Sequence, residues 1–72
     1  MLSRIYDLFE SLSEDELILM FYKSGREGSI RPGDILTPIG YFLKIERDLK
    51  YIGRRVLIID IREIEGLYLT KE

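Results

Sequence analysis

Apolar residues in the first segment recur with the period of an α-helix. They lie three and four positions apart, with charged residues between them, which places them on one face of a helix. They are Leu2, Ile5, Leu8, Phe9 and Leu12. The pattern predicts an amphipathic helix over residues 2–12 that ends near residues 11–13.

The next segment combines a helix-start signal with an apolar run. Ser13 followed by Glu16 has the spacing of a capping box, in which each residue bonds the backbone of the other. We therefore predict a second helix that begins at Glu14 and ends at Gly25. Residues 17–22 alone are equally compatible with a buried strand, and the capping residues favour the helix.

Residues 26–36 are predicted to form a loop. Pro32 and Gly33 occupy the two central positions of a type II turn, which requires a positive φ at its third residue. The loop separates the second helix from a third apolar segment.

The third segment begins with Thr37 followed by Pro38, an N-cap residue and a proline at the first helical position. The pattern predicts a third helix over residues 38–52, with Gly53 as its C-terminal stop. Gly40 in the first turn weakens such a helix, or permits close approach of a phosphate to the free backbone N–H groups there.

The last third of the chain is rich in β-branched and aromatic residues. Residues 55–61 and 67–70 are predicted strands, and Gly66 marks a break between them, which suggests an antiparallel hairpin. The predicted fold class is therefore α+β, with three helices followed by a β-hairpin in a single domain of residues 1–72. This is the element order of a winged-helix domain.

Four successive apolar residues, 56–59, do not fit a strand with one face in water. Both faces of the strand must then be covered, and a chain of 72 residues has little further structure to cover the second face. We therefore expect a homodimer, through the hairpin or through residues 17–22. A core strand and a core helix within one molecule are the alternative interpretation of these runs.

Charge is unevenly distributed along the chain, although the net charge is only −2. Residues 1–22 contain one basic and five acidic side chains, whereas residues 23–55 contain eight basic and four acidic ones. On a helix over residues 38–52, Lys44, Arg47 and Tyr51 project away from the apolar face. Arg47 has no acidic neighbour at helical spacing, so an anionic partner would relieve its repulsion with nearby lysines.

Internal pairing is the competing explanation for the two lysines. Glu46 can reach Lys50, and Lys44 can reach Asp48, at four-residue spacing on a helix. An ordinary solvated face is then as compatible with the pattern as a binding surface.

Residues 36–53, LTPIGYFLKIERDLKYIG, are followed by a predicted strand pair that ends in Leu-Tyr-Leu-Thr at residues 67–70. This half of the chain resembles the recognition helix and wing of PadR-like and MarR-like transcriptional regulators. The resemblance implies that Thr37 faces DNA near the helix start, that Lys44 and Arg47 contact base edges or phosphates, and that Arg62 lies on the wing.

These observations predict a nucleic-acid-binding regulator whose partner is duplex DNA. Basic side chains would neutralise phosphates, and Arg47 could contact a guanine with two hydrogen bonds. The predicted contact residues are Thr37, Lys44, Arg47, Tyr51, Arg54, Arg55 and Arg62. The hypothesis requires that these cations are not neutralised by the protein's own carboxylates. The alternative is a non-enzymatic protein-interaction or assembly module that forms a homodimer.

The chain contains neither cysteine nor histidine. Disulfides, thiolate nucleophiles, structural zinc and imidazole base catalysis are therefore excluded. Asp60, Glu63 and Glu65 could in principle hold a divalent cation, but strand alternation would place Glu63 and Glu65 on one face and Asp60 on the other. We predict no catalytic residue, no cofactor, no metal site and no small-molecule substrate.

The composition also bears on the environment of the protein. Ala, Asn, Gln and Trp are absent while Glu, Lys and Arg are abundant, which is typical of proteins from thermophiles; an AT-rich genome is the alternative source of this bias. The longest apolar run, residues 17–22, is far shorter than the roughly 20 residues of a membrane span. We therefore expect a cytoplasmic protein without a membrane partner.

Overall fold

The computed structural model describes residues 1–71 and consists mainly of β-strands. The described part contains one helix, six strands and a short 3₁₀ turn at Ile61–Glu63. The helix and strands are α1 (Leu2–Glu10), β1 (Glu16–Tyr22), β2 (Glu27–Ile30), β3 (Ile35–Ile39), β4 (Phe42–Leu49), β5 (Gly53–Asp60) and β6 (Ile64–Lys71). The predicted fold of three helices followed by a hairpin is wrong, and the winged-helix arrangement with it.

The strands form two antiparallel sheets of three strands each. The first sheet has the order β2-β1-β6 and the second the order β3-β4-β5. The two predicted C-terminal strands exist, but they do not form a hairpin with each other. β5 pairs with β4 and β6 pairs with β1, so the 3₁₀ turn between them carries the chain from one sheet to the other.

One apolar core is shared by the helix and both sheets. On β4 the buried Leu43 and Ile45 alternate with more exposed residues, as the two-residue period of a strand requires. The core comprises Ile5 of α1, Ile18 and Met20 of β1, Ile30 of β2, Leu43 and Ile45 of β4, Ile59 of β5, and Ile64 and Leu67 of β6.

The first predicted helix is confirmed. It begins at Leu2, and Ser11 forms its C-terminal cap. Ile5 is fully buried, and the other apolar residues of the predicted face pack around the core. The 3–4 residue spacing therefore identified both the element and the side that faces the protein.

The second predicted helix is wrong, although part of its capping contact is present. The Ser13 N–H donates to the Glu16 carboxylate at 2.9 Å, and the Glu16 N–H donates to the Ser13 carbonyl at 3.0 Å. These bonds close a single turn, after which the chain enters β1. Residues 17–22 form the central strand of the first sheet, which places Ile18 and Met20 fully in the core.

The third predicted helix is also wrong, because residues 38–52 fold as the end of β3, all of β4 and the turns beside them. Ile39 and Phe42 are paired across a two-residue loop. Gly40 has φ 59° and Tyr41 does not have a positive φ, as in a type II′ hairpin turn. Gly40 is therefore the residue that the hairpin turn requires.

The predicted turn at Pro32 and Gly33 is confirmed, but the predicted loop over residues 26–36 is wrong in extent, because it contains β2 and the start of β3. Gly33 has φ 88°, and the Asp34 N–H donates to the Arg31 carbonyl at 3.1 Å. The turn connects β2 of the first sheet to β3 of the second and places Asp34 between them.

Candidate interaction surface

The side of the second sheet that faces away from the core is called the outer face here. Strand alternation directs Leu43, Ile45 and Ile59 into the core and leaves the intervening residues on the opposite side. By register, the outer face consists of Ile35, Thr37, Ile39, Phe42, Lys44, Glu46, Asp48, Arg54, Val56, Ile58 and Asp60.

The outer face carries several large apolar side chains that remain exposed. Five large apolar side chains on it remain between 45% and 60% exposed, namely Ile35, Ile39, Phe42, Val56 and Ile58. Exposed apolar side chains grouped on one sheet face favour contact with another molecule.

The charged residues of the outer face neutralise one another. The Lys44 ammonium lies 3.4 Å from the Glu46 carboxylate, which also accepts a bond of 3.0 Å from Arg54. Arg54 donates a second bond of 3.1 Å to Asp48. The hydrogen bond from Arg54 lowers the pKa of Glu46 below its ordinary value.

Arg47 lies on the other side of β4 and is bound to an acidic residue. Its Nε and Nη2 donate to the two oxygens of Asp34 at 2.9 and 2.8 Å, and Nη2 also donates to the Ser29 carbonyl at 3.2 Å. The hydrogen bonds to Asp34 raise the pKa of Arg47. The prediction that Arg47 lacks an acidic partner is wrong, because the partner lies thirteen residues earlier in the chain.

Arg62 is also paired. Its Nε and Nη2 donate to the Asp60 carboxylate at 3.0 and 2.8 Å, and its guanidinium lies 4.5 Å from the centre of the Tyr41 ring. These bonds lower the pKa of Asp60. Asp60 therefore pairs with a cation, and residues 1–71 contain no group of acidic side chains that could hold a metal ion.

The predicted DNA contacts do not share one surface. Thr37, Lys44 and Arg54 lie on the outer face, whereas Arg47 and Arg55 lie on the opposite side of their strands. Tyr51 is 90% exposed in the turn between β4 and β5. A single basic helix face, on which the DNA-binding prediction depended, does not exist in this fold.

Strand β5 has the least protected edge of the described sheets. It is eight residues long, contains no proline, and keeps a regular register with β4 over its whole length. The other edges differ, since β2 has only four residues, β3 contains Pro38, and the register of β6 shifts at residues 21–22 of β1. A long, regular, apolar edge strand is the type of strand that adds a further strand from another chain.

A second apolar region lies on the first sheet. An open groove of about 650 Å³ runs beside β6 and is lined in part by Leu19, Phe21, Tyr68 and Leu69. The Phe21 and Tyr68 rings pack edge to face with centroids 5.4 Å apart. The ring contact covers only part of this region, since Tyr68 remains 59% exposed and Leu69 45% exposed.

No family model, no curated protein and no solved structure matches this chain. The helix among residues 1–71 is too short and too polar to cross a membrane.

Proposed function

We propose that this protein is a non-enzymatic interaction module that assembles with a second copy of itself through the edge strand β5. The observation that carries the proposal is the exposure of Val56 and Ile58, which are 53% and 60% accessible on a regular edge strand. The run of four apolar residues at 56–59 predicts a homodimer, and the fold leaves two of the four more than half exposed.

The internal pairing of the basic residues favours this proposal over a DNA-binding regulator. Arg47, Arg54 and Arg62 each donate to carboxylates of the same chain. A polyanion would have to displace those partners, and Arg47 in particular is mostly buried between the two sheets. These internal pairs do not support the prediction that the basic residues bind duplex DNA.

The size of the apolar contact indicates a dimer of moderate strength. Complete burial of an Ile or Val side chain contributes about 1.5–3 kcal/mol, and about half of each remains to be gained at Val56 and Ile58. In a symmetric dimer both copies bury these two residues, so the gain in free energy doubles. Backbone hydrogen bonds between the two edge strands add to this gain. Association itself costs about 4–15 kcal/mol, so we expect a dimer that dissociates on dilution.

The proposal is tested by replacing Ile58 with lysine. Light scattering during gel filtration, at concentrations from about 1 µM to about 1 mM, should show a dimer for the unaltered protein and a monomer for Ile58→Lys. The matched control is Ile52→Lys, which adds the same charge at a residue that is 84% exposed in the turn before β5. The control should remain dimeric.

Circular dichroism and thermal melting should show that both variants are folded, because neither side chain belongs to the core. A monomeric unaltered protein over the whole concentration range would refute the proposal. So would a variant pair in which Ile52→Lys and Ile58→Lys dissociate the dimer equally.

A further inference from the structure

The outward side chains of β5 follow an ordered series of chemical types. From the start of the strand to its end they are Arg54, Val56, Ile58 and Asp60, that is basic, apolar, apolar and acidic. Read in the opposite direction, the series becomes acidic, apolar, apolar and basic. The strand is therefore complementary to an antiparallel copy of itself.

We infer that β5 pairs antiparallel with β5 of a second copy, with Leu57 opposite Leu57 on the two-fold axis. This inference rests on the proposed function and specifies its interface. The pairing joins two sheets of three strands into one continuous sheet of six. The two-fold axis is perpendicular to that sheet, so the outer faces of both copies lie on the same side.

In this register each outward side chain of β5 lies opposite a side chain of complementary chemistry in the second copy. Val56 lies opposite Ile58 of the second copy, and Ile58 lies opposite Val56. Directly opposed residues have Cβ atoms about 4.5–5.5 Å apart, close enough for aliphatic side chains to cover each other. The two large apolar residues that the single chain leaves exposed on β5 are thus the two that the register covers.

The charged residues at the two ends are also complementary. Arg54 lies opposite Asp60 of the second copy, at both ends of the paired strands. Arg54 uses Nε and Nη1 in its bonds to Asp48 and Glu46, and a guanidinium has five N–H donors. Nη2 can therefore donate to the incoming carboxylate without loss of the bonds within the chain.

The neighbouring registers do not provide this match. A symmetric antiparallel pair can shift only in steps that keep the outer faces on one side, which changes every pairing by two residues. One shift places Arg54 opposite the aliphatic Ile58, and the other places Val56 opposite the carboxylate of Asp60. Both leave charged groups facing apolar ones.

Opposite charges at the ends also limit further growth of the sheet. Arg54, Arg55 and Asp60 flank the apolar run, as charged residues do beside strands that would otherwise aggregate. Because β5 has only one free edge, its pairing with a second copy leaves no β5 edge for a third. The inferred contact therefore closes as a dimer.

The register can be tested with single cysteines, because the natural chain has none. We would prepare Val56→Cys and Ile58→Cys, mix them in equal amounts at a concentration where the unaltered protein is dimeric, and oxidise mildly. Intact-mass spectrometry separates the three possible disulfide products, since the two variants differ by one methylene group. The expected product is the mixed disulfide, in clear excess over its statistical share.

The geometry explains this expectation. In the inferred register residue 56 of one copy faces residue 58 of the other, whereas identical residues are diagonal neighbours about 7–8 Å apart. A disulfide requires Cβ atoms about 3.5–4.5 Å apart and forms poorly across the diagonal. Ile52→Cys serves as the control, because residue 52 lies outside the paired strands and should not cross-link.

The other outcomes separate failure of the inference from failure of the proposed function. Preferential formation of a 56–56 or a 58–58 disulfide would identify a shifted register and overturn the inference. A dimer by light scattering without specific cross-linking at either position would place the contact on another surface, such as the β6 edge, and would overturn both the inference and the proposed use of β5. A monomeric unaltered protein would overturn the proposed function itself.

Discussion

Asp34 is the buried charged residue of the described chain, with a side chain only 1% exposed. It accepts two bonds from Arg47 and one of 2.8 Å from the Arg31 N–H. Because Arg47 also bonds the Ser29 carbonyl of β2, the pair connects the first sheet to β4 of the second. A residue predicted to contact a ligand therefore has a structural role.

Replacement of Arg47 by alanine should destabilise the fold. Asp34 would be left buried without its cation, and breaking a buried ion pair in this way costs about 3–5 kcal/mol. Urea denaturation should show this decrease in the free energy of unfolding. Arg55→Ala is the control, since Arg55 lies directly opposite Arg47 on β5 but is exposed, and its loss should change stability by less than about 0.5 kcal/mol. Equal stability of the two variants would contradict the structural role of Arg47.

At the scale of elements, the turns determine how the central segment folds. Among the described residues with positive φ, Gly25 and Gly40 lie in hairpin turns and Gly53 is the first residue of β5. Gly53 follows a turn in which the Ile52 N–H donates to the Leu49 carbonyl at 3.3 Å. The residue predicted to end a helix does adopt a left-handed conformation, but it starts a strand.

Gly40→Ala should weaken the β3–β4 hairpin, because a positive φ is unfavourable for an L-residue. The cost of such a conformation is about 1–3 kcal/mol, and thermal unfolding should show the lower stability. A synthetic chain with D-alanine at position 40 provides the control, since a D-residue prefers positive φ and should retain or raise the stability. A destabilised D-alanine chain would indicate that the added methyl group, and not the backbone angle, is responsible.

At the scale of the whole molecule, carboxylates on both sheets are hydrogen-bonded in the folded state. Bonds from Ser13 lower the pKa of Glu16, bonds from Arg54 lower that of Glu46, and bonds from Arg62 lower that of Asp60. The charged forms of these groups therefore favour the folded chain. The ion pairs with Arg54 and Arg62 also neutralise the charges of Glu46 and Asp60 within the chain.

Stability should consequently fall in acid. A group whose pKa is lowered by folding contributes its full stabilisation above its ordinary pKa, near 4, and loses it as the pH falls through the lowered value. The melting temperature should therefore be steady near neutral pH and decrease below about pH 4. A Glu46→Gln variant should show a shallower decrease than the unaltered protein. An identical acid profile for the two proteins would argue against this contribution of Glu46.

Local sequence signals predicted several features correctly. The 3–4 residue spacing of residues 2–12 identified α1, Pro32 and Gly33 identified a type II turn, and the β-branched content of residues 55–61 identified β5. Each of these depends on interactions between residues close together in the chain. The apolar run of residues 56–59, which contains the two residues that carry the proposed function, was visible in the sequence for the same reason.

Residues 38–52 show why the prediction of a third helix failed. Apolar residues at three- and four-residue spacing also fit two strands joined by a turn, since Leu43 and Ile45 alternate with outward residues. Thr37 and Pro38 suit a helix start, but proline is equally acceptable in an edge strand. Gly40 was the contrary signal, because glycine is unfavourable within a helix and favoured at the first position of a type II′ turn.

The sequence by itself determined the N-terminal helix, the turn at Pro32 and Gly33, the presence of C-terminal strands and the absence of cysteine and histidine. Only the tertiary structure decided which strands pair, which apolar residues stay exposed, and where Arg47 finds its carboxylate. Strand pairing and ion pairing join residues far apart in sequence, such as Glu16 with Lys71. Their energies depend on the packing of the whole chain, so no local pattern reveals them.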